Sequence, residues 1–190
     1  MKMFYEVIDK IMDSRDVTVG GGSASAAAGA MAAGLVGMAA RLSAGKECGL
    51  PDTRYLGIAE ELDALVVKLK EGAVADTQSY LGIKAAFALP KGADEEKAVR
   101  RAAVEKAAQR AAEVPLANGR AALRILELCR EMEGKFNTAA SSDMEAGIML
   151  ARMAVVGTAL NVEANLSLIK TPEKNEELSR SARELKDAVK

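Results

Sequence analysis

From Ser23 to Ala40 the chain runs for 18 residues without a charged side chain, and nearly all of them are Ala, Gly or Ser. Only Met31, Leu35, Val36 and Met38 are sizeable apolar groups. A membrane-spanning helix needs about 20 mostly strongly apolar residues. This segment has nearly that length but lacks the side chains. It reads as the buried helix of a bundle, in which Gly29, Gly34 and Gly37 let neighbouring backbones approach closely. Alanine is the best helix former, and 37 of the 190 residues are alanine. No segment alternates polar and apolar residues as a strand would. The expected fold is all-α: an up-and-down bundle of about five or six helices, some long, in a single domain over residues 1–190.

The punctuation divides the chain. A short amphipathic helix is expected over Lys2–Met12, and the small-residue helix from Ser23 to about Ala44. A long helix runs from Asp52 to Leu89, where Pro90 and Gly92 stop it. The next runs from Asp94 to Met132, with a kink or break at Pro115. Ser142 with Glu145 three residues later has the spacing of a capping box and opens a helix to about Ile169. Thr171-Pro172 precedes a charged final helix. Short loops make the long helices antiparallel neighbours. A helix of about 38 residues is about 57 Å long, which leaves surface for a second subunit.

Charge and composition exclude several functions. Lys plus Arg number 26 and Asp plus Glu 27. With no basic stripe, nucleic acid is not an expected partner. There is no histidine, which removes Ser-His-Asp and Cys-His triads, HExxH zinc sites and any imidazole base. Cys48 and Cys129 are far apart and have no zinc-ligand spacing, so two reduced thiols are expected. The N-terminal residues are too charged for a secretory signal. A cytoplasmic protein without a membrane segment is the expectation.

Polar residues interrupt seams that ought to be apolar. In the helix after Pro51 the seam runs Leu62, Val66, Leu69, Ala73, Asp76, Tyr80, Ile83, Phe87. Its one exception turns a carboxylate inward, where burial disfavours the charged form. Such an acid either has chemistry to perform or is held by an Arg on a neighbouring helix, unless the seam drifts and leaves it at the edge. In the last long helix Asn165 interrupts the seam, with Asn161 one turn before it. Amides at i and i+4 share a face; they suit a ligand's hydrogen-bonding edge, or fix register across helices. The run Gly20-Gly21-Gly22-Ser23 offers free N–H groups at a helix start, fit for an anion or carbonyl oxygen, or simply forms a tight turn with Ser23 as cap. Ser142-Asp143 reads first as a cap, and Lys91 and Arg100 as solvated charges.

These segments, in this order, resemble the cyclodeaminase/cyclohydrolase family of folate enzymes. Its members form the C-terminal part of formiminotransferase-cyclodeaminase and also occur as short stand-alone proteins. The resemblance is carried by GGGSASAAAGAMAAGLVGMAARLSAGK from Gly20, by Asp76 to Tyr80, and by LPK ending at Lys91. Arg100, VPL at Val114–Leu116, SSD ending at Asp143 and NVEANL from Asn161 complete it. Thr18-Val19 stands where the family often has Thr-Pro. Glu47-Cys48-Gly49 stands where it often has a Lys-rich, aromatic stretch, and Tyr80 replaces the usual Phe.

The resemblance implies an all-helical homodimer with a site near the subunit interface and a reduced folate as substrate. It implies no cofactor beyond that tetrahydrofolate and no metal. A formiminotransferase is a possible partner. Two activities occur in the family: closure of 5-formimidoyl- to 5,10-methenyl-tetrahydrofolate with release of ammonia, and hydrolysis of the methenyl bridge to 10-formyl-tetrahydrofolate. Both pass through a tetrahedral one-carbon centre and need proton transfer. Without histidine, a carboxylate of tuned pKa is the natural group. Asp76 is the first candidate. Asp143 is the second, orienting substrate or binding the pterin's donor edge. The Gly20–Ser23 turn would offer N–H groups, Asn161 and Asn165 would hold polar edges, and Lys91 and Arg100 would attract the glutamate tail. The competing classes are a folate binder without catalysis and a helical oligomer without chemistry.

Overall fold

The computed structural model describes residues 2–190. Among them are six α-helices and no strand: α1 (Lys2–Met12), α2 (Gly21–Ser43), α3 (Asp52–Phe87), α4 (Asp94–Glu131), α5 (Ser141–Asn165) and α6 (Pro172–Asp187). Four of them make an up-down-up-down bundle in the cyclic order α2, α3, α4, α5. α6 lies against α4 and α5, and α1 against α2 and α3. The core is aliphatic, with Ile58, Leu62, Leu69, Ile125, Leu128, Val155, Val162 and Leu178 fully buried. α1 adds a small cluster of Val7 with Ala26 and Ala73.

α2 is the central helix because its side chains are small. Leu69 and Ala154 pack directly on Gly29, and Leu62 packs on Gly37. Although α2 is long and apolar enough to cross a membrane by composition, 72% of its apolar window is buried inside the bundle. α3 and α4, at 36 and 38 residues, are each over 50 Å long at ~1.5 Å per residue. Both run past the N-terminus of α2. Their ends meet in an exposed arm, where Arg100 Nε and Nη2 donate to the Phe87 carbonyl at 3.1 and 3.0 Å. Cys48 and Cys129 are both free thiols.

Two expected boundaries differ. The Ser142–Glu145 capping box does not form. Instead Asn137 Oδ1 accepts the Ala139 N–H at 3.1 Å, starting a 3-10 turn over Thr138–Ala140 that leads into α5 at Ser141. Asn137 also accounts for the end of α2: its Nδ2 donates to Leu42 O, and its backbone N–H donates to Ser43 Oγ. One asparagine thus serves both helix ends, and Ser142 has no capping to do.

Pro115 does not break α4, which is continuous through it. Proline lacks the N–H that would bond the carbonyl four residues earlier. That carbonyl belongs to Ala111, and Asn165 Nδ2 from α5 donates to it at 3.1 Å. The donor removed by one helix is supplied by another. Asn165→Leu is therefore expected to cost about 1–3 kcal/mol, the penalty for an unsatisfied buried acceptor. Pro115→Ala in the same chain restores the intrahelical donor and should recover much of the loss. Chemical denaturation of the four proteins of this double-mutant cycle measures the coupling; strictly additive effects would contradict it.

Candidate active site

Asp76 sits on α3 where it passes the N-terminus of α2. Its Oδ2 accepts a hydrogen bond from Ser23 Oγ at 2.8 Å, and the Ser23 backbone N–H also donates to the carboxylate. Thr77 Oγ1 lies 3.0 Å from the same Ser23 hydroxyl. Of the free N–H groups expected of the Gly20–Ser23 segment, that of Ser23 meets the protein's own carboxylate. Gly22 makes this possible, because a Cβ there would overlap the carboxylate.

The electrostatics are those of an acid held without a counter-ion. No ion pair reaches Asp76 among the described residues, so the structural-arginine reading does not apply. Burial pushes its carboxyl above the usual carboxylate range, and the two Ser23 hydrogen bonds offset only part of that.

A notch-and-knob circuit fixes this end of the bundle. Asp76 of α3 fills the space a Cβ would take at Gly22 of α2, and Ser25 of α2 does so at Gly157 of α5. Thr158 of α5 does so at Gly119 of α4, and Asn118 of α4 at Gly72 of α3. Each of the four helices gives one polar side chain and receives another. Ser25 and Thr158 satisfy their hydroxyls on carbonyls of their own helices. The backbones are thereby drawn together just beneath the carboxylate.

Above the circuit is a cavity of about 300 Å³ lined by Asp76, Ser79, Tyr80, Ile83, Asn161 and Asn165, among others. Thr18 and Gly20 close one side and Ala111 and Ala164 another. Asn161 Nδ2 donates to Gly157 O at 3.1 Å, and Asn165 Nδ2 donates to Asn161 O at 2.9 Å as well as to Ala111. Both donors of the Asn165 amide and one of the two on Asn161 are thus engaged, and neither Oδ1 accepts a hydrogen bond from the described residues. The cavity presents one carboxylate and two amide acceptors against one unengaged Asn161 N–H, a set suited to a ligand edge rich in N–H donors.

Asp76, Gly20, Asn161 and Asn165 thus line one cavity, with Gly21, Gly22 and Ser23 directly behind it. The other candidates lie apart. Asp143 is in the first turn of α5, at the opposite end of the bundle, about 27 Å along the helix from Asn161. Its side chain makes no hydrogen bond with the described residues. Lys91 is exposed in the α3–α4 turn. Arg100 stacks over the Phe87 ring at 5.2 Å and borders a separate cavity. Sequence reasoning passed over Thr18, Ser79 and Ala111 as cavity-lining residues. Ala111 had a signal, being the carbonyl that Pro115 leaves free.

The model of the formiminotransferase-cyclodeaminase family matches residues 4–184. The chain belongs to that family. Relatives in it include the methenyltetrahydrofolate cyclohydrolase of Methylorubrum extorquens, 32% identical over 84% of this chain and 79% of that protein. The formimidoyltransferase-cyclodeaminases of Sus scrofa and Gallus gallus are 29% and 27% identical. The chain spans only 28% and 29% of their length. Among solved structures, the formiminotetrahydrofolate cyclodeaminase of Thermotoga maritima has the same fold. Its TM-score is 0.82 at 21% identity, over 96% of this chain and 87% of that one. Family membership and the all-helical fold expected from the sequence are both shown.

Proposed function

We propose that this chain is a folate one-carbon enzyme that works at the bridging carbon of a tetrahydrofolate, with Asp76 as its proton-handling group. It hydrolyses 5,10-methenyl-tetrahydrofolate to the 10-formyl form, closes 5-formimidoyl-tetrahydrofolate to the methenyl form with loss of ammonia, or does both. Supporting this reading is a half-buried carboxyl with no counter-ion among the described residues, on the wall of a cavity, in a chain of this family.

In hydrolysis the carboxylate takes a proton from the attacking water as the tetrahedral centre forms. In ring closure it takes the proton of the attacking nitrogen, and its protonated form can return one to departing ammonia. A pKa above the ordinary range suits both directions of transfer near neutrality. The amide oxygens of Asn161 and Asn165 would accept from the pterin's N–H edge. The residues supply acid–base chemistry alone, and the proposal includes no metal and no cofactor beyond the folate.

The methenyl form has a near-ultraviolet band that the other two species lack. Accelerated loss of that band from methenyl-tetrahydrofolate identifies hydrolysis, and accelerated appearance from formimidoyl-tetrahydrofolate identifies ring closure. No acceleration in either would overturn the proposal.

The same reading includes a homodimer. α2 and α5 together show an apolar outer face: Met31, Met38 and Leu42 with Met149, Met153 and Leu160, all exposed. Only 39% of the apolar window around α5 is buried in the single chain. The face extends to Gly20 and Ala164 at the cavity rim, so a second copy seated on it would wall the site. Met153→Glu is expected to convert a dimer to a monomer in light-scattering chromatography; a wild-type monomer would contradict this part. A cytoplasmic location and a separate formiminotransferase as donor of formimidoyl substrate complete the proposal.

A further inference from the structure

Few side-chain donors around the Asp76 cavity are unspent. The Thr18 hydroxyl and backbone N–H both donate to Asp16 Oδ1. Ser79 Oγ donates to the Asp76 backbone carbonyl at 2.7 Å. Both Asn165 donors and one of Asn161's are engaged on carbonyls. Asp76 aside, the other lining residues have no polar side chain. What remains is one Asn161 N–H and the Tyr80 hydroxyl, which bonds to none of the described residues.

Tyr80 follows Asp76 by one helical turn on α3, so the two share a face. Side chains of a helix lean toward its N-terminus, and the Tyr80 ring therefore extends over the turn that carries Asp76. The opposite wall repeats the spacing with Asn161 and Asn165 on α5. The two walls are level, because Asn161 packs on Gly21 of α2 and Asp76 on Gly22. Amide acceptors for a flat ligand edge thus stand on α5, and a carboxylate and a phenol stand together on α3. Tyr80 is 41% exposed, so water reaches its hydroxyl at the mouth of the cavity.

We infer that the Tyr80 hydroxyl holds the attacking water of the hydrolytic reaction, between itself and the Asp76 carboxylate. This rests on the folate reading. Water has two hydrogens and two lone pairs. The carboxylate accepts one hydrogen, Tyr80 donates to one lone pair, and the other lone pair is left for the bridging carbon. As the oxygen–carbon bond forms, one proton passes to Asp76 and the electron pair of the carbon–nitrogen double bond returns to nitrogen. The N5–carbon bond then breaks, its pair leaving with N5, which takes the proton from Asp76. The hydroxyl proton goes to solvent as the formyl C=O forms. Tyr80 keeps its own proton throughout and donates to the same oxygen from start to finish. Ring closure has no such oxygen, because its nucleophile is a nitrogen of the folate itself. The hydroxyl therefore favours attack by water over attack by nitrogen.

The test is Tyr80→Phe, which removes one oxygen, keeps the ring and leaves the fold unstrained. Steady-state hydrolysis of methenyl-tetrahydrofolate is measured across pH, beside ring closure of formimidoyl-tetrahydrofolate. The variant's hydrolytic kcat falls by about tenfold, the cost of one hydrogen bond made to the reacting oxygen. Its KM for the methenyl substrate stays within about twofold of wild type, and the rise of rate with pH through the Asp76 carboxyl is retained. Ring closure keeps its wild-type rate. Tyr5→Phe, at an exposed tyrosine of α1 outside the cavity, behaves as wild type in every assay. Hydrolysis by Tyr80→Phe at the wild-type rate would overturn the assignment, as would a raised KM with kcat unchanged or an equal slowing of both reactions. A wild type that closes the ring but does not hydrolyse would overturn it too. Each of those results leaves the folate reading standing. Absence of turnover with both substrates in the wild type would overturn both.

Discussion

Asp76→Asn is expected to abolish turnover while leaving the bundle folded and, at neutral pH, no less stable than the wild type. Removal of a positioned acid–base group typically costs about 10²–10⁴ in rate. The stability half follows from linkage. The folded-state pKa of Asp76 is raised by burial, so the folded protein binds the proton more tightly than the unfolded chain. Ionisation above that pKa therefore costs stability, and the cost is absent below the unfolded-state pKa, where the group is neutral in both states. Asn removes the charge and keeps an oxygen to accept from Ser23. Any gain in unfolding temperature over wild type should thus appear at neutral pH and vanish in acid. The same titration makes wild-type hydrolysis rise with pH through the Asp76 pKa. An Asn variant with a near-normal rate would remove Asp76 from the mechanism. One that unfolds more easily at neutral pH would mark it as structural.

Gly22→Ala should be nearly as damaging, for a different reason. The new Cβ would overlap the carboxylate. α2 cannot back away easily, because Ser25 is seated at Gly157 and Gly29 is pressed against Leu69. The carboxylate must rotate off Ser23. A displacement of about 1 Å can cost about 10²-fold in rate, and overpacking costs about 1–3 kcal/mol. Gly82 is the control: it lies on the same long α3, and a Cβ there meets nothing. Gly82→Ala should stabilise by about 0.5–1 kcal/mol through helix propensity. Parallel turnover and denaturation measurements would separate the two. A Gly22→Ala enzyme as active as Gly82→Ala would contradict the close approach.

What could be read from the sequence was what depends on local pattern. The amphipathic periodicity of Lys2–Met12 and the stops at Pro51 and Pro90 gave helices with nearly the observed bounds. The seam through Leu62, Leu69 and Ala73 placed Asp76 on an inward face. Long-range matches were not legible. Nothing near Pro115 shows that Asn165, some fifty residues later, supplies its missing donor. Nor does a Gly such as Gly119 announce which side chain will occupy the space it leaves. Ser142 with Glu145 looked like a cap because the motif is local, whereas Asn137 wins by bridging two helices. Arg100 read from the sequence as a solvated charge, and its two hydrogen bonds to the Phe87 carbonyl, thirteen residues earlier, are another match no local pattern announces. Asp143 carries a family-like motif, yet one helix length separates it from Asp76 within a chain.

A rival pocket lies at that distant end, about 450 Å³ between Cys129, Arg130, Met144 and Arg152, among others. Burial there pushes the Cys129 thiol up to about 12, so it is a poor proton carrier. The measurement that decides between the two ends is a crystal structure with a stable tetrahydrofolate analogue bound. The expected density places the pterin beside Asn161 and Asn165, with the one-carbon position within hydrogen-bond reach of the Asp76 carboxylate. Density for the pterin between Cys129 and Arg152, with the Asp76 cavity left to solvent, would contradict the assignment of the active site.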